Sequence, residues 1–221
     1  MRGGGMVHFE PRPAGVCFLL GAGPLYGWAA DKRPGDFLIA ADGGYAYAVE
    51  AGWTPDLLLG DFDSLGRVPD AAGTLVLPRE KDDTDMLAAA REGLKRGFST
   101  FYILGGTGGR MDHTLANIQL LAFLADAGAV GYLFAEHNVL RLLRAGEVRY
   151  PAGLTGYVSV LAYGGAARGV CIEGLKYPMQ NGEMTPSFPI GTSNEFLGAP
   201  ARVAVGEGSV LLIYPRAEAQ A

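Results

Sequence analysis

Two short acidic clusters carry the chemistry that this chain announces: Gly60-Asp61-Phe62-Asp63-Ser64 and Lys81-Asp82-Asp83-Thr84-Asp85. Carboxylates this closely spaced repel one another unless positive charge sits among them. Hard divalent cations such as Mg²⁺ take oxygen ligands and commonly keep phosphate oxygens in their shell. The pattern therefore reads as metal-assisted phosphate chemistry. Asp61 and Asp63 can turn toward one ion, or Asp63 can simply cap a helix in a solvated turn. Their place straight after Leu57-Leu58-Leu59 favours the metal. Asp82, Asp83 and Asp85 fall at an expected helix start, where the backbone dipole favours negative charge. That effect accounts for one or two carboxylates and poorly for three. Lys81 offsets part of the repulsion or reaches a phosphate. Thr84 offers a hydroxyl ligand or an ordinary helix-start hydrogen bond.

A second group centres on Gly105-Gly106-Thr107-Gly108-Gly109-Arg110. Four glycines let the backbone approach an anion and turn N–H groups toward it. Arg110 can hold phosphate oxygens at two points. No Gly-Lys-Ser/Thr follows, so this is not the usual nucleotide P-loop. Asp112 and His113 lie beside it. His113, one of three histidines, is a base, a phosphate donor or, more commonly for its position, a structural hydrogen bonder. Asn117, four residues on, either faces the same cleft or is a plain exposed polar residue. Asp42-Gly43-Gly44 places another strand-end carboxylate beside flexible backbone, to meet a substrate or cap the next helix. Farther along stand Gly174-Leu175-Lys176-Tyr177 and Thr192-Ser193-Asn194-Glu195. Tyr177 is a surface or core tyrosine by default and a platform for a flat cation otherwise. Ser193 and Asn194 pass as turn formers.

The elements that must position these groups follow from periodicity. Val16 to Leu20, Phe37 to Ala41, Leu57 to Leu59, Thr74 to Leu77, Thr100 to Leu104 and Val130 to Phe134 read as strands. Helices are expected over Tyr45 to Glu50, from a cap at Asp82 or Asp83 to near Gly97, and from about Asp112 to Ala127. The first long helix carries Met86, Leu87, Ala90 and Leu94; the second shows Leu115, Ile118, Leu121 and Leu124 on one side. Strands alternating with helices imply a mostly parallel sheet covered on both faces, with ligands beyond the carboxyl ends of its strands. After about Asn138 the pattern changes. Val139 to Leu143, Gly146 to Tyr150, Tyr157 to Ala162, Gly169 to Glu173, Ala201 to Val205 and Ser209 to Tyr214 are short strand-like runs separated by Gly, Pro and Asn. They predict an antiparallel sandwich or barrel. The expected division is an α/β catalytic domain at 1–137 that binds nucleotide and metal, and an all-β sandwich at 138–221.

Bulk composition narrows the functions further. The chain has 221 residues, 49% of them hydrophobic, enough for a substantial core. A net charge of −5 without a basic stripe argues against a nucleic-acid partner. A small anion remains compatible if a metal carries compensating charge. Cys17 and Cys171 sit in apolar strand-like runs and are expected as buried free thiols, with no zinc spacing. Apolar runs are too short to span a bilayer, and no signal-peptide core follows Arg2. A soluble cytoplasmic protein is expected, with Met1 to Gly5 as a flexible lead-in and a loose tail after Pro215.

Taken in order, Asp42-Gly43-Gly44, Gly60 to Ser64, Lys81 to Asp85, Gly109-Arg110-Met111-Asp112-His113, Gly174 to Tyr177 and Ser193-Asn194-Glu195 resemble the thiamin pyrophosphokinase family. The resemblance runs from residue 42 to 195. It implies transfer of pyrophosphate from ATP to the thiamin hydroxyl, leaving AMP, with Mg²⁺ as cofactor. It implies an α/β domain, a β-sandwich, and a homodimer with active sites at its interface. Asp61, Asp63 and Asp85 would then hold Mg²⁺ or orient the hydroxyl. Asp42, Gly43, Lys81, Asp82 and Thr84 would lie near the phosphates, and Gly109, Arg110, Asp112, His113 and Asn117 on the nucleotide side. Tyr177 would stack on thiamin, with Ser193 and Asn194 nearby; eukaryotic relatives tend to carry Trp where Tyr177 stands. Alternatives are a pyrophosphokinase for another alcohol such as a hydroxymethyl pterin, a nucleotide or thiamin sensor, and a sugar-nucleotide transferase using Asp61-Phe62-Asp63.

Overall fold

The computed structural model describes residues 15–27, 31–62, 73–78 and 82–216. Asp63, Ser64 and Lys81 lie outside the described residues. The described chain forms two compact units, 15–136 and 137–216.

The first unit is built on near-continuous apolar runs, the composition of strands buried on both faces. They are β1 (Cys17–Leu20), β2 (Phe37–Ala41), β3 (Leu57–Gly60), β4 (Thr74–Val76), β5 (Thr100–Leu104) and β6 (Val130–Phe134). All of their pairings are parallel, in the order β6-β5-β1-β2-β3-β4. Cys17 therefore faces Phe37 on one side and Phe101 on the other. Among the described residues three helices connect the strands: α1 (Gly44–Glu50), α2 (Asp85–Lys95) and α3 (Met111–Asp126). α2 packs on β1, β2 and β3, and α3 on β6 and α2. The core is aromatic at its centre. Tyr102 meets Phe18, Tyr132 and Phe134 edge-on, at ring separations of 5.5, 5.6 and 5.2 Å.

Strand order fixes where a ligand fits. β1 has β2 on one side and β5 on the other, so chain connections leave its carboxyl end in opposite directions. A crevice opens at such a reversal because no crossover covers it. The loops after β1 and β5 meet there: Gly21 N–H donates to Leu104 O (2.9 Å) and Gly23 N–H to Gly105 O (2.8 Å).

Two expectations about the helices need correction. Thr84, not Asp82 or Asp83, caps α2; its Oγ1 accepts from Leu87 N–H at 3.2 Å. A hydroxyl cap leaves the neighbouring carboxylates for other partners, and Asp83 pairs with Arg91 at 2.9 Å. In α3 the buried residues are Asn117, Leu120, Leu121 and Leu124, while Leu115 is 55% exposed. The buried face begins at Asn117, a polar residue in an inward position, so Leu115 falls outside it and Ile118 at its edge.

The second unit contains only strands: β7 (Asn138–Tyr150), β8 (Thr155–Ala162), β9 (Ala167–Glu173), β10 (Met179–Met184), β11 (Asn194–Leu197) and β12 (Ala201–Pro215). All of their pairings are antiparallel. β12 pairs with β7 along its length, with β9 over its first part and with β8 over its last. Tyr150 packs between Phe196 and Tyr214. The runs expected as separate strands at Val139 to Leu143 and Gly146 to Tyr150 are one strand, as are Ala201 to Val205 and Ser209 to Tyr214. Their internal glycines are absorbed by a register shift between Val205 and Ser209 rather than by a turn. β10 and β11 carry too little apolar alternation to be seen from sequence.

Both cysteines are free. Cys17 is buried, and burial pushes its thiol up to about 12, only partly opposed by Arg96. Cys171 departs from expectation in being only half-buried; Asn181 N–H donates to its Sγ at 3.4 Å. A thiol reagent at pH 8 is expected to label Cys171 alone in the native protein and both cysteines after denaturation. A folded-state value above the unfolded one also sets a sign. The stability it contributes is complete below the unfolded value of 9.0 and is lost as pH rises toward about 12. No helix among the described residues is long and apolar enough to cross a membrane.

Candidate active site

The crevice between the ends of β1 and β5 is a cavity of about 350 Å³. Gly21 to Pro24 line one wall, Gly105 to Thr107 with Gly109 and Arg110 another, and His113, Thr114 and Asn117 of α3 close it. Glycine is required where the two loops touch. A Cβ on Gly21 would stand 2.7 Å from Gly105 O, and one on Gly105 would stand 2.4 Å from Gly21 O. At that contact the wall is therefore bare backbone, able to approach an anion closely.

Asn117 explains how the glycine loop is held. It is 6% exposed, and its Nδ2 donates to Gly106 O at 2.8 Å. The exposed-polar reading is thereby excluded. Thr107 is also buried, and its Oγ1 finds no hydrogen-bond partner among the described residues. Arg110 lies at the mouth, paired through Nε and Nη2 with the Asp112 carboxylate at 3.2 and 2.6 Å. That two-point bond raises the guanidinium's value and lowers the carboxyl's, so both stay charged; both are well exposed.

A smaller adjoining cavity, about 90 Å³, is lined by Asp42, Thr84, Asp85, His113 and Asn117 with Gly21, Ala22 and Met86. It joins three sequence segments that were read separately. Asp42 is held by its N–H to Leu59 O (2.8 Å) in a left-handed conformation, φ 45°. Gly60 backs onto it, since a Cβ there would stand 3.1 Å from Asp42 Cα; Asp61, the next residue, is not among those lining either cavity. Asp85 opens α2, with its Oδ1 buried. Asp82 is exposed. Among the described residues no three His, Cys, Asp or Glu side chains close on one point. Mg²⁺ shared with a phosphate needs only one or two carboxylates, and the hard oxygen donors Asp42, Asp61 and Asp85 suit it.

Sequence reasoning passed over Gly21 to Pro24 and Met86 as site residues. Gly21-Ala22-Gly23-Pro24 reads as a tight turn, yet the strand-end rule applied to Leu20 would have found it.

In the second unit Tyr177, Ser193 and Asn194 also come together. Asn194 is 2% exposed and acts as a bracket. Its Oδ1 accepts from Tyr177 N–H (2.9 Å) and Glu195 N–H (2.9 Å), and its Nδ2 donates to Tyr177 O (2.7 Å). Ser193 sits at φ 56°, its N–H donating to Ser159 Oγ at 3.1 Å. Asn194 is thus more than a turn former, and Tyr177 is 59% exposed, a surface rather than a core residue. Asn194→Ala strands three backbone groups and is expected to destabilise the protein by about 2–3 kcal/mol in chemical unfolding. Asn194→Asp keeps the acceptor but sets a carboxylate oxygen against Tyr177 O in a buried site, and should lose at least as much.

Comparison with known proteins decides the kinship. Family models match both units: "Thiamin pyrophosphokinase, catalytic domain" over residues 33–129 and "Thiamin pyrophosphokinase, vitamin B1 binding domain" over 147–210. A thiamine pyrophosphokinase of Bacillus subtilis is 30% identical over 182 residues, covering 79% of this chain and 85% of that protein. The chain belongs to the thiamin pyrophosphokinase family. Solved structures agree on the fold. The Bacillus subtilis thiamine pyrophosphokinase aligns with a TM-score of 0.79 at 24% identity, over 93% of this chain and all of that one. A thiamin pyrophosphokinase family protein from Enterococcus faecalis gives 0.76 at 26%, over 91% and 98%. Of the residues matched to the family's motifs, Asp42, Asp85, Thr84, His113 and Asn117 share one cavity, and Gly109 and Arg110 share the other with His113 and Asn117.

Proposed function

We propose that this protein is a thiamin pyrophosphokinase, an ATP-dependent pyrophosphotransferase that converts thiamin to thiamin diphosphate and releases AMP. One observation carries the reading: a glycine-walled cavity at the strand-order reversal adjoins a carboxylate pocket, in a chain that matches both family domains. The backbone-lined cavity suits a polyphosphate, and Arg110 at its mouth suits the nucleotide side. The match of residues 147–210 to a vitamin B1 binding domain favours thiamin over a pterin alcohol.

In the reaction the thiamin hydroxyl attacks the β-phosphorus of ATP, the bond to the α-phosphate bridging oxygen breaks, and AMP leaves in line. Asp61 or Asp85 accepts the hydroxyl proton. Asp42, Asp61 and Asp85, with Asp63, would hold Mg²⁺, which when bound neutralises charge on the transferred group. Gly43, Lys81, Asp82 and Thr84 belong to the phosphate side. Asp112 keeps Arg110 oriented. Positioning and electrostatics supply most of the rate.

The finer parts of the same reading are a nucleotide domain over 1–137, a thiamin-binding β-sandwich over 138–221, and a cytoplasmic homodimer with its active sites at the interface. Exposed Tyr157, Phe188, Ile190 and Leu197 on the all-β unit support a covered surface there. The reading is tested by incubating the purified protein with ATP, Mg²⁺ and thiamin. AMP and thiamin diphosphate should appear in equal amounts and only when all three are present. ADP with thiamin monophosphate would refute pyrophosphoryl transfer.

A further inference from the structure

Beside Tyr177 the chain keeps a cation of its own. Lys176 Nζ lies 5.6 Å from the Tyr177 ring centroid. It also donates to both carboxylate oxygens of Glu195, at 3.0 and 2.9 Å. The arrangement is pinned from behind. Lys176 N–H donates to Glu195 O (3.0 Å), while Asn194 brackets the Tyr177 backbone and takes the Glu195 N–H. Tyr157, the register partner of Glu195 across β8 and β11, is exposed as well. The Glu195 hydrogen bond raises the ammonium's value, with smaller support from Tyr177 and Tyr157, so it stays protonated. An exposed aromatic face, a fixed carboxylate and a cation shared between them are the parts of a cation-binding site, here filled from within.

Thiamin carries a permanent positive charge on its thiazolium ring. A flat cationic ring and an ammonium cannot both sit on one tyrosine face. We infer that Lys176 is a resident cation that covers the Tyr177–Glu195 face until a cationic acceptor displaces it, Glu195 then serving as counter-ion to the incoming ring. This rests on the acceptor reading given above. The lysine stem is flexible and its head is readily rehydrated. The pair is partly exposed, so water can take over its contacts as it parts. Lys176 thereby opposes any incoming ring, and Glu195 sets the preference for a cation. An uncharged ring gains no charge attraction from Glu195 to replace the one lost, whereas a cation does.

Steady-state kinetics of Lys176→Met, Lys176→Arg and Glu195→Gln with thiamin test this, alongside inhibition by the uncharged analogue carrying thiophene in place of thiazolium. Lys176→Met is expected to lower the thiamin KM by about 3- to 5-fold, the scale of an exposed cation–π contact, with kcat held within about twofold. Lys176→Arg should return KM to the wild-type value. Glu195→Gln should raise the thiamin KM by about 3- to 5-fold. The analogue must displace Lys176 as well, so Lys176→Met should lower its inhibition constant by a similar factor, whereas Glu195→Gln should not raise it. A higher KM or a roughly tenfold fall in kcat for Lys176→Met would overturn the inference, since Lys176 would then be holding phosphate or structure. A Glu195→Gln change that weakens the uncharged analogue as much as thiamin would overturn it too, since Glu195 would then not act through charge. If wild-type protein forms no AMP with thiamin, the acceptor reading fails and takes this inference with it. A normal wild type with unresponsive variants sinks the inference alone.

Discussion

Asp85→Asn is expected to lower kcat by about 100-fold or more while the protein stays folded, on the scale of losing one electrostatic contact to a reacting phosphate. Asn preserves the size of the side chain at the first position of α2 and removes only its charge. Thr84 continues to cap the helix. The structural cost is therefore limited to a lost dipole interaction of about 0.5 kcal/mol. The catalytic cost is larger because Asp85 shares its small cavity with Asp42 and His113, where charge on a transferring group must be balanced. Asp83→Asn is the matched control. Its carboxylate pairs with Arg91 on the helix surface, and such exposed pairs contribute about 0–1 kcal/mol. Full-time-course AMP release and circular dichroism on both variants decide the matter. Activity within a few-fold of wild type in folded Asp85→Asn would remove the carboxylate pocket from the mechanism.

Gly105→Ala, the addition of a single methyl group, should cost both stability and nucleotide affinity. Gly105 has φ 61°, and its Cβ would stand 2.4 Å from Gly21 O and 3.1 Å from Gly23 O. Each contact is with backbone, so no side chain can swing away. Left-handed strain of about 1 kcal/mol adds to about 1–3 kcal/mol of crowding. A loss near 3 kcal/mol is expected, together with a wider gap between the loops and at least tenfold weaker ATP binding, the scale of losing one hydrogen bond to a charged group. Gly128→Ala separates the two terms. Gly128 has φ 75° with nothing within 4 Å, so it should lose only about 1 kcal/mol and keep nucleotide affinity. Equal losses in chemical unfolding would show that crowding at the strand-order reversal is unimportant.

The sequence by itself determined the strands of the first unit and the inventory of its chemistry. Runs such as Phe37 to Ala41 and Phe101 to Leu104 are apolar on every residue, and only a strand buried on both faces tolerates that in so short a stretch. The acidic clusters and the glycine loop were legible because close like charges and four glycines in six residues conflict with ordinary packing. Tertiary structure alone decided which of these groups meet. Strand order cannot be read from local periodicity, and it is the reversal at β1 that sets Gly21 against Gly105 and gathers Asp42, Thr84, Asp85 and His113 around one space. It also reassigned individual side chains. Asp83 turned to Arg91, Asn117 went inside to hold Gly106, and Asn194 became the bracket for Tyr177. Each of those outcomes depends on a partner between 8 and 17 residues away in sequence. A hydrogen bond or ion pair to a distant residue leaves no trace in the spacing of its neighbours, whereas burial of a whole strand does.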